Sequence, residues 1–92
     1  MAKLLNEGQI ASHLKDLRDW RRTGNEIIKT FEFVDFVRAM GFVNSVALCA
    51  EKANHHPDID IRWNKVTLVL STHSAGGLTD LDFALARTID GL

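Results

Sequence analysis

Residues 58–71 read Asp58-Ile59-Asp60-Ile61-Arg62-Trp63-Asn64-Lys65-Val66-Thr67-Leu68-Val69-Leu70-Ser71. Ile59, Ile61 and Trp63 alternate with Asp58, Asp60 and Arg62. Val66, Leu68 and Leu70 then alternate with Thr67, Val69 and Ser71. Successive side chains of a strand point to opposite faces, so a period of two marks a strand with one face on a core. Asn64-Lys65 reads as the turn between the two runs, with Trp63 facing Val66. Trp63 shares its parity with Ile59 and Ile61, which places its ring in the core.

A similar unit lies upstream. Gly24-Asn25 is a hairpin-turn dipeptide, and it separates a short segment around Trp20-Arg21-Arg22 from Ile27-Ile28-Lys29-Thr30-Phe31-Glu32-Phe33. Helices flank both hairpins. Asn6 reads as an N-cap with Gln9 at the third helical position and Leu5 stapled onto Ile10; Ile10, Leu14 and Leu17 follow at helical spacing, predicting a helix near residues 6–17. From Asp35 to Ala53 the period is again helical, with one apolar stripe of Phe36, Met40, Val43, Ala47 and Ala50 and a second of Phe42, Val46 and Cys49. A helix apolar on two sides needs two surfaces to lean on. The sheet is one, and a second subunit is the natural other, with Phe42, Val46 and Cys49 the stripe left over for it. Gly41 costs such a helix roughly 1 kcal/mol relative to Ala, so it marks close packing. After Gly76-Gly77, Thr79 caps a last helix with Asp82 at its third position and Leu78 stapled onto Phe83. The order α-β-β-α-β-β-α without a βαβ crossover predicts an α+β fold, a four-stranded antiparallel sheet with three helices on one face.

Ninety-two residues at 10.3 kDa hold one domain, residues 1–92, with no repeat or linker. A chain this short buries roughly 60–65% of its unfolded surface, so association of subunits would help it. The 46% hydrophobic and 25% charged residues exclude a disordered tail. Eleven Lys+Arg against twelve Asp+Glu argue against a nucleic-acid-coating protein. Trp20 among Arg18, Arg21 and Arg22 accordingly reads as a solvated strand edge rather than a base-stacking surface. The single cysteine, Cys49, excludes an internal disulfide and reads as a small buried hydrophobe in a reducing compartment. No signal-peptide core and no run of ~18–20 apolar residues is present, so a cytoplasmic location away from membranes is expected.

The chemistry concentrates in His55-His56 and His73. Extended to the open end of the hairpin, the register above sets His56 across from His73, with Cβ atoms ~4.5–5.5 Å apart; a one-residue slip sets His55 there instead. Pro57 holds His56 in an extended conformation. Glu51 precedes His55 by one helical turn, and Asp82 opens the last helix. Imidazole exchanges protons in both directions near neutrality, and a carboxylate beside it fixes its tautomer. The group therefore reads as acid–base machinery for a small substrate. Competing readings are a histidine pair serving as a helix-end dipole partner and Asp82 as a plain capping acid. Ser71 and Ser74 lack an accompanying oxyanion-hole motif, so hydrolase chemistry is set aside. A zinc site built from His55, His56, His73 and Glu51 is the sharper rival. Neighbouring residues of an extended chain point to opposite sides, so metal-free acid–base work fits better.

Glu51-Lys52-Ala53-Asn54-His55-His56-Pro57, then Trp63-Asn64-Lys65-Val66 and Ser71-Thr72-His73, resembles the pterin-4a-carbinolamine dehydratase family. The likeness extends over Trp20, Ile27 to Phe36, and Gly76-Gly77-Leu78-Thr79 to Asp82. It implies removal of water from a 4a-hydroxytetrahydropterin to give the quinonoid dihydropterin, recycling the cofactor of aromatic amino acid hydroxylation. It further implies no metal, no organic cofactor, the same α+β fold, and assembly into dimers or tetramers. Carried over by position, His55, His56 and His73 are catalytic. His55, His56 and Pro57 with Thr72, His73, Ser74 and Ala75 form the substrate loops, and Glu51 and Asp82 are acidic neighbours of the pocket. Asn54 stands where many members have Asp, and Ile59 where some have an aromatic residue. Similar animal proteins also act as dimerisation cofactors of a homeodomain transcription factor, so a non-enzymatic interaction module is the alternative reading.

Overall fold

The computed structural model describes residues 2–92. The capping box read from the sequence opens the first helix: the Gln9 N–H donates to Asn6 Oδ1 at 2.8 Å, and the Asn6 N–H donates to Gln9 Oε1 at 2.9 Å. Helix α1 runs Glu7–Lys15, followed by β1 Arg21–Thr23, β2 Glu26–Glu32, α2 Phe36–Ala53, β3 Asp58–Arg62, β4 Lys65–Leu70, a 3-10 turn His73–Ala75, and α3 Asp80–Asp90. The four strands form one antiparallel sheet in the order β1-β2-β4-β3. The two hairpins meet through β2 and β4, paired from Ile27 opposite Leu70 to Glu32 opposite Lys65. Arg22 ties β1 to α1 through hydrogen bonds of 2.6 and 2.9 Å to Glu7. Those bonds, ahead of charge attraction, hold the Glu7 carboxyl below its ordinary range.

The three helices cover one face of the sheet. Ile27, Val66, Leu68 and Leu70 are fully buried there, in one core with Ile10 of α1, Val46 and Ala50 of α2, and Phe83, Ala86 and Ile89 of α3. On the opposite face the Thr30 and Thr67 hydroxyls are bonded across the strands at 2.8 Å, next to Ile28 paired with Val69. No helix among the described residues is long and apolar enough to cross a membrane.

Five expectations need correction. The β3–β4 turn falls one residue earlier than the alternation suggested: Arg62 faces Lys65 and Ile61 faces Val66. Asn64 is tied to the end of β2, donating Nδ2–H to the Phe33 carbonyl at 2.8 Å while its own carbonyl accepts the Phe33 N–H at 2.8 Å. Trp63 is thereby thrown outward, with φ of 52° and its side chain 68% exposed, and does not belong to the core.

Trp20 is core rather than solvated edge. It is buried, packs edge-on against Phe31, and its indole N–H reaches both oxygens of Asp90 at 3.0 and 3.1 Å. Lys29 Nζ joins the same carboxylate at 2.9 Å. The carboxylate at the end of α3 gives the indole a partner, which is the condition for burying it. Trp20→Phe keeps the packing and deletes that bond, so urea denaturation should show a loss of about 1.5 kcal/mol.

The stripe of α2 expected to be left over, Phe42, Val46 and Cys49, turns inward, and shares the core with Ala50 and Val43 of the first. Phe42 packs on Phe31 and Phe33, with ring centroids 4.6 and 5.0 Å apart, and this turns Val46 fully inward and Cys49 half inward. The apolar side chains left outside are Val37 at 75% and Leu48 at 74% exposure, with Phe36 half-exposed. Gly41 is not a close-packing position within the chain, since a Cβ there would meet nothing within 4 Å.

Candidate active site

Helix α2 ends on Asn54 in the left-handed conformation, φ 50° and ψ 43°. Asparagine enters that region more readily than most residues. Its side chain therefore suits the cap itself, which is a backbone reason for Asn at this position. The reversal, closed by the His55 N–H on the Ala50 carbonyl at 3.1 Å, carries His55 inward.

His55 is buried, and its Nε2 lies 2.6 Å from Oδ1 of Asp82. Asp82 is completely buried at the third position of α3, where it completes the Thr79 capping box by accepting the Thr79 N–H at 2.9 Å. It is thus both the capping acid and the histidine's partner. Its Oδ2 also accepts the Thr72 hydroxyl at 2.8 Å. The direction of the remaining protons follows. The Leu81 N–H must donate to Thr79 Oγ1 at 3.2 Å, the Thr79 hydroxyl then donates to Thr72 Oγ1 at 2.7 Å, and Thr72 donates to Asp82. Every donor converges on one carboxylate, so the network assigns a hydrogen to His55 Nε2 as well. Nδ1 is the nitrogen left for chemistry. It has no partner among the described residues and is not among their buried unpaired atoms, so it reaches the surface.

His56 turns the other way. It is exposed, and its Nε2 is paired with Oε2 of Glu51. Pro57, half-buried, leads into β3. The β3–β4 ladder ends where Asp58 meets Val69, so the strand pairing expected between His56 and His73 does not form. His73 instead begins the 3-10 turn, exposed, directly after the buried Thr72. Ser74 and Ala75 complete the turn, and Gly76 closes it in the left-handed region at φ 81°. Gly77 bridges back to Thr72. A Cβ on Gly77 would come within 3.0 Å of the Leu4 side chain and 3.4 Å of Asn25 Oδ1, so only glycine lets the turn lie this close. His73 lines a cavity of about 320 Å³ with Thr23, Asn25, Glu26, Ser71 and Gly76.

The site residues read from the sequence thus fall into three connected groups: His55 with Asp82 and Thr72, His56 with Glu51, and His73 on its cavity. Missed in the sequence were Thr79 as a link in the network and Asn25, Glu26 and Ser71 as cavity walls. Among the described residues no group of three or more His, Cys, Asp or Glu side chains is placed to hold a metal ion.

Residues 3–92 match the family model for pterin 4 alpha carbinolamine dehydratase. The chain belongs to this family. A relative in Roseiflexus castenholzii is 61% identical over 98% of this chain and 97% of its own. Another, in Nocardia farcinica, is 57% identical over 98% of this chain and 95% of its own. Both are provisionally named pterin-4-alpha-carbinolamine dehydratases. Among solved structures, a transcriptional coactivator/pterin dehydratase from Brucella melitensis superposes with a TM-score of 0.91 at 37% identity, covering 95% of each chain. A pterin dehydratase-like protein described as a RuBisCO assembly factor of the alpha-carboxysome shares the fold, with a TM-score of 0.69 at 23% identity over 80% of this chain and 88% of its own.

Proposed function

We propose that this chain, acting as one domain in the cytoplasm, removes water from a 4a-hydroxytetrahydropterin and so recycles the pterin cofactor of aromatic amino acid hydroxylases. The observation that carries the reading is the buried His55–Asp82 pair, locked by two threonine hydroxyls so that one imidazole nitrogen is left facing outward. Membership of the family supplies the substrate class.

His55, His56 and His73 are the catalytic residues. One imidazolium gives its proton to the departing C4a hydroxyl. As the C4a–O bond breaks, the N5–H electron pair forms the C4a=N5 double bond, and a basic imidazole takes the N5 proton. The products are water and the quinonoid dihydropterin, and the acid and base recover by exchanging protons with solvent. No metal or organic cofactor enters the balance. Asp82 and Thr72, both buried, are positioning residues that act through His55; Glu51 does the same for His56. Pro57, Ser74 and Ala75 shape the loops that flank the substrate. A positioned acid or base contributes typically ~10²–10⁴-fold.

Absorbance-monitored dehydration of a synthetic 4a-hydroxytetrahydropterin tests the reading. Acceleration over the spontaneous rate supports it, and a spontaneous rate at micromolar protein removes it. The second reading is a non-enzymatic coactivator-type module, favoured by the description of the Brucella melitensis structure. It would survive the second result.

A homo-oligomer, dimer or tetramer, is part of the same proposal. The exposed Val37 and Leu48 on α2 are the surface it would cover. Leu48→Glu should leave the fold intact and yield a 10.3 kDa species in sedimentation equilibrium, where the unmutated chain sediments as a multiple of it. Val46→Glu should unfold the chain instead, because Val46 is fully buried and an unpaired charge there is costly.

A further inference from the structure

The cavity that His73 lines has a second ionisable wall. Glu26 starts β2, and the register that sets Ile27 opposite Leu70 carries Glu26 alongside Ser71. Ser71 fixes this approach by donating its hydroxyl to the Asn25 carbonyl at 2.7 Å. The β1–β2 turn is braced from the other side, where Arg22 Nε donates to the Gly24 carbonyl at 2.8 Å while its guanidinium is held by Glu7. Glu26 has no salt bridge within the described residues, although Glu26 and His73 line the same cavity of about 320 Å³. The remaining lining side chains, Thr23, Asn25 and Ser71, are neutral and polar. A half-buried carboxylate on a braced turn, with no cation assigned to it, is a hydrogen-bond acceptor waiting for donors.

A pterin supplies those donors in a fixed array. Its N3–H and 2-amino group lie side by side on one edge, parallel and two atoms apart, which matches the two oxygens of a carboxylate. C4a, the reacting carbon, stands directly across the pyrimidine ring from C2, with N5 beside it. A ring whose N3/C2 edge sits on Glu26 therefore presents its C4a–N5 side away from β2, toward the histidine side of the cavity.

We infer that Glu26 is the specificity-determining residue for the 2-amino-4-oxo edge, its carboxylate accepting the N3–H and one 2-amino hydrogen while His73 stands at the reacting side of the ring. The inference deepens the dehydratase reading and rests on it for the choice of ring. It assigns Glu26 to binding and orientation, and leaves the proton transfers to the histidines.

Equilibrium fluorescence titration with two ligands, pterin and lumazine, tests this without needing turnover. Lumazine carries an oxo group where pterin has the 2-amino group, so it turns an acceptor toward the carboxylate. The unmutated protein should bind pterin at least about tenfold more tightly than lumazine. Glu26→Gln, which keeps the size and removes the second acceptor oxygen, should bring the two affinities within about threefold of each other. In steady state, Glu26→Gln should raise KM for the synthetic 4a-hydroxytetrahydropterin about tenfold or more, with a smaller effect on kcat. Equal affinities in the unmutated protein, or a preference that survives Glu26→Gln, would overturn the inference; if turnover persists in that case, the dehydratase reading stands without it. Glu26-dependent preference for pterin in a protein that shows no turnover would uphold the recognition and remove the reaction.

Discussion

Asp82→Ala is expected to lower the free energy of unfolding by about 3–5 kcal/mol. Asp82 is fully buried and receives His55 Nε2–H, the Thr72 hydroxyl and the Thr79 N–H together. Removing it strands three donors in the interior and takes the capping acid from α3. A domain of this length has on the order of 5–14 kcal/mol in total, so the variant should be largely unfolded in modest urea. Asp82→Asn should fall between, since an amide has one acceptor oxygen for three donors. Urea denaturation at neutral pH reads both. A change below about 1 kcal/mol for Asp82→Ala would show that water replaces the carboxylate at no cost, and that the network does not position His55.

The second large effect is separable from stability. His56 and His73 are exposed, so His56→Ala and His73→Ala should each change stability by no more than about 0.5 kcal/mol. Turnover of the synthetic pterin should nevertheless drop at least tenfold in each, and up to the ~10²–10⁴ that a positioned acid or base contributes. Circular dichroism establishes the fold in the same samples. Near-normal rates in both variants would leave His55 as the sole imidazole in the reaction. The contrast is the informative part: the buried carboxylate fails by unfolding, while the exposed histidines fail with the fold intact.

What could be read in advance was local. The capping boxes at Asn6 and Thr79 and the alternation of β4 are present as expected, while β3 pairs with β4 but leaves Ile59 and Ile61 exposed. The errors lie where distant residues decide. Alternation reports which face a residue takes but not where the chain turns, and the turn is set by Asn64 bonding to Phe33, 31 residues away. Trp20 looked solvated beside three arginines because its partner, Asp90, is 70 residues off. Both stripes of α2 were visible, but the Phe31 and Phe33 rings that draw Phe42 inward lie on the sheet, outside the helix's own pattern. The site divides in the same way. The histidines and their two acids stood out through the motif, while the pairing of β2 with β4 that brings Glu26 and Ser71 to His73 left no mark in either segment. The expected meeting of His56 and His73 failed with the turn, because moving it by one residue shifts every pair along the ladder.

The central claim is that His55, held by the Asp82 network, acts with His56 and His73 to remove water from the pterin. It is tested most directly by measuring the dehydration rate of a synthetic 4a-hydroxytetrahydropterin with the unmutated chain and with the His55→Ala, His73→Ala double variant, at equal concentration and with the fold of each checked. The account predicts clear acceleration by the unmutated chain and a rate indistinguishable from the spontaneous one for the double variant. A folded double variant that retains the unmutated rate would contradict it.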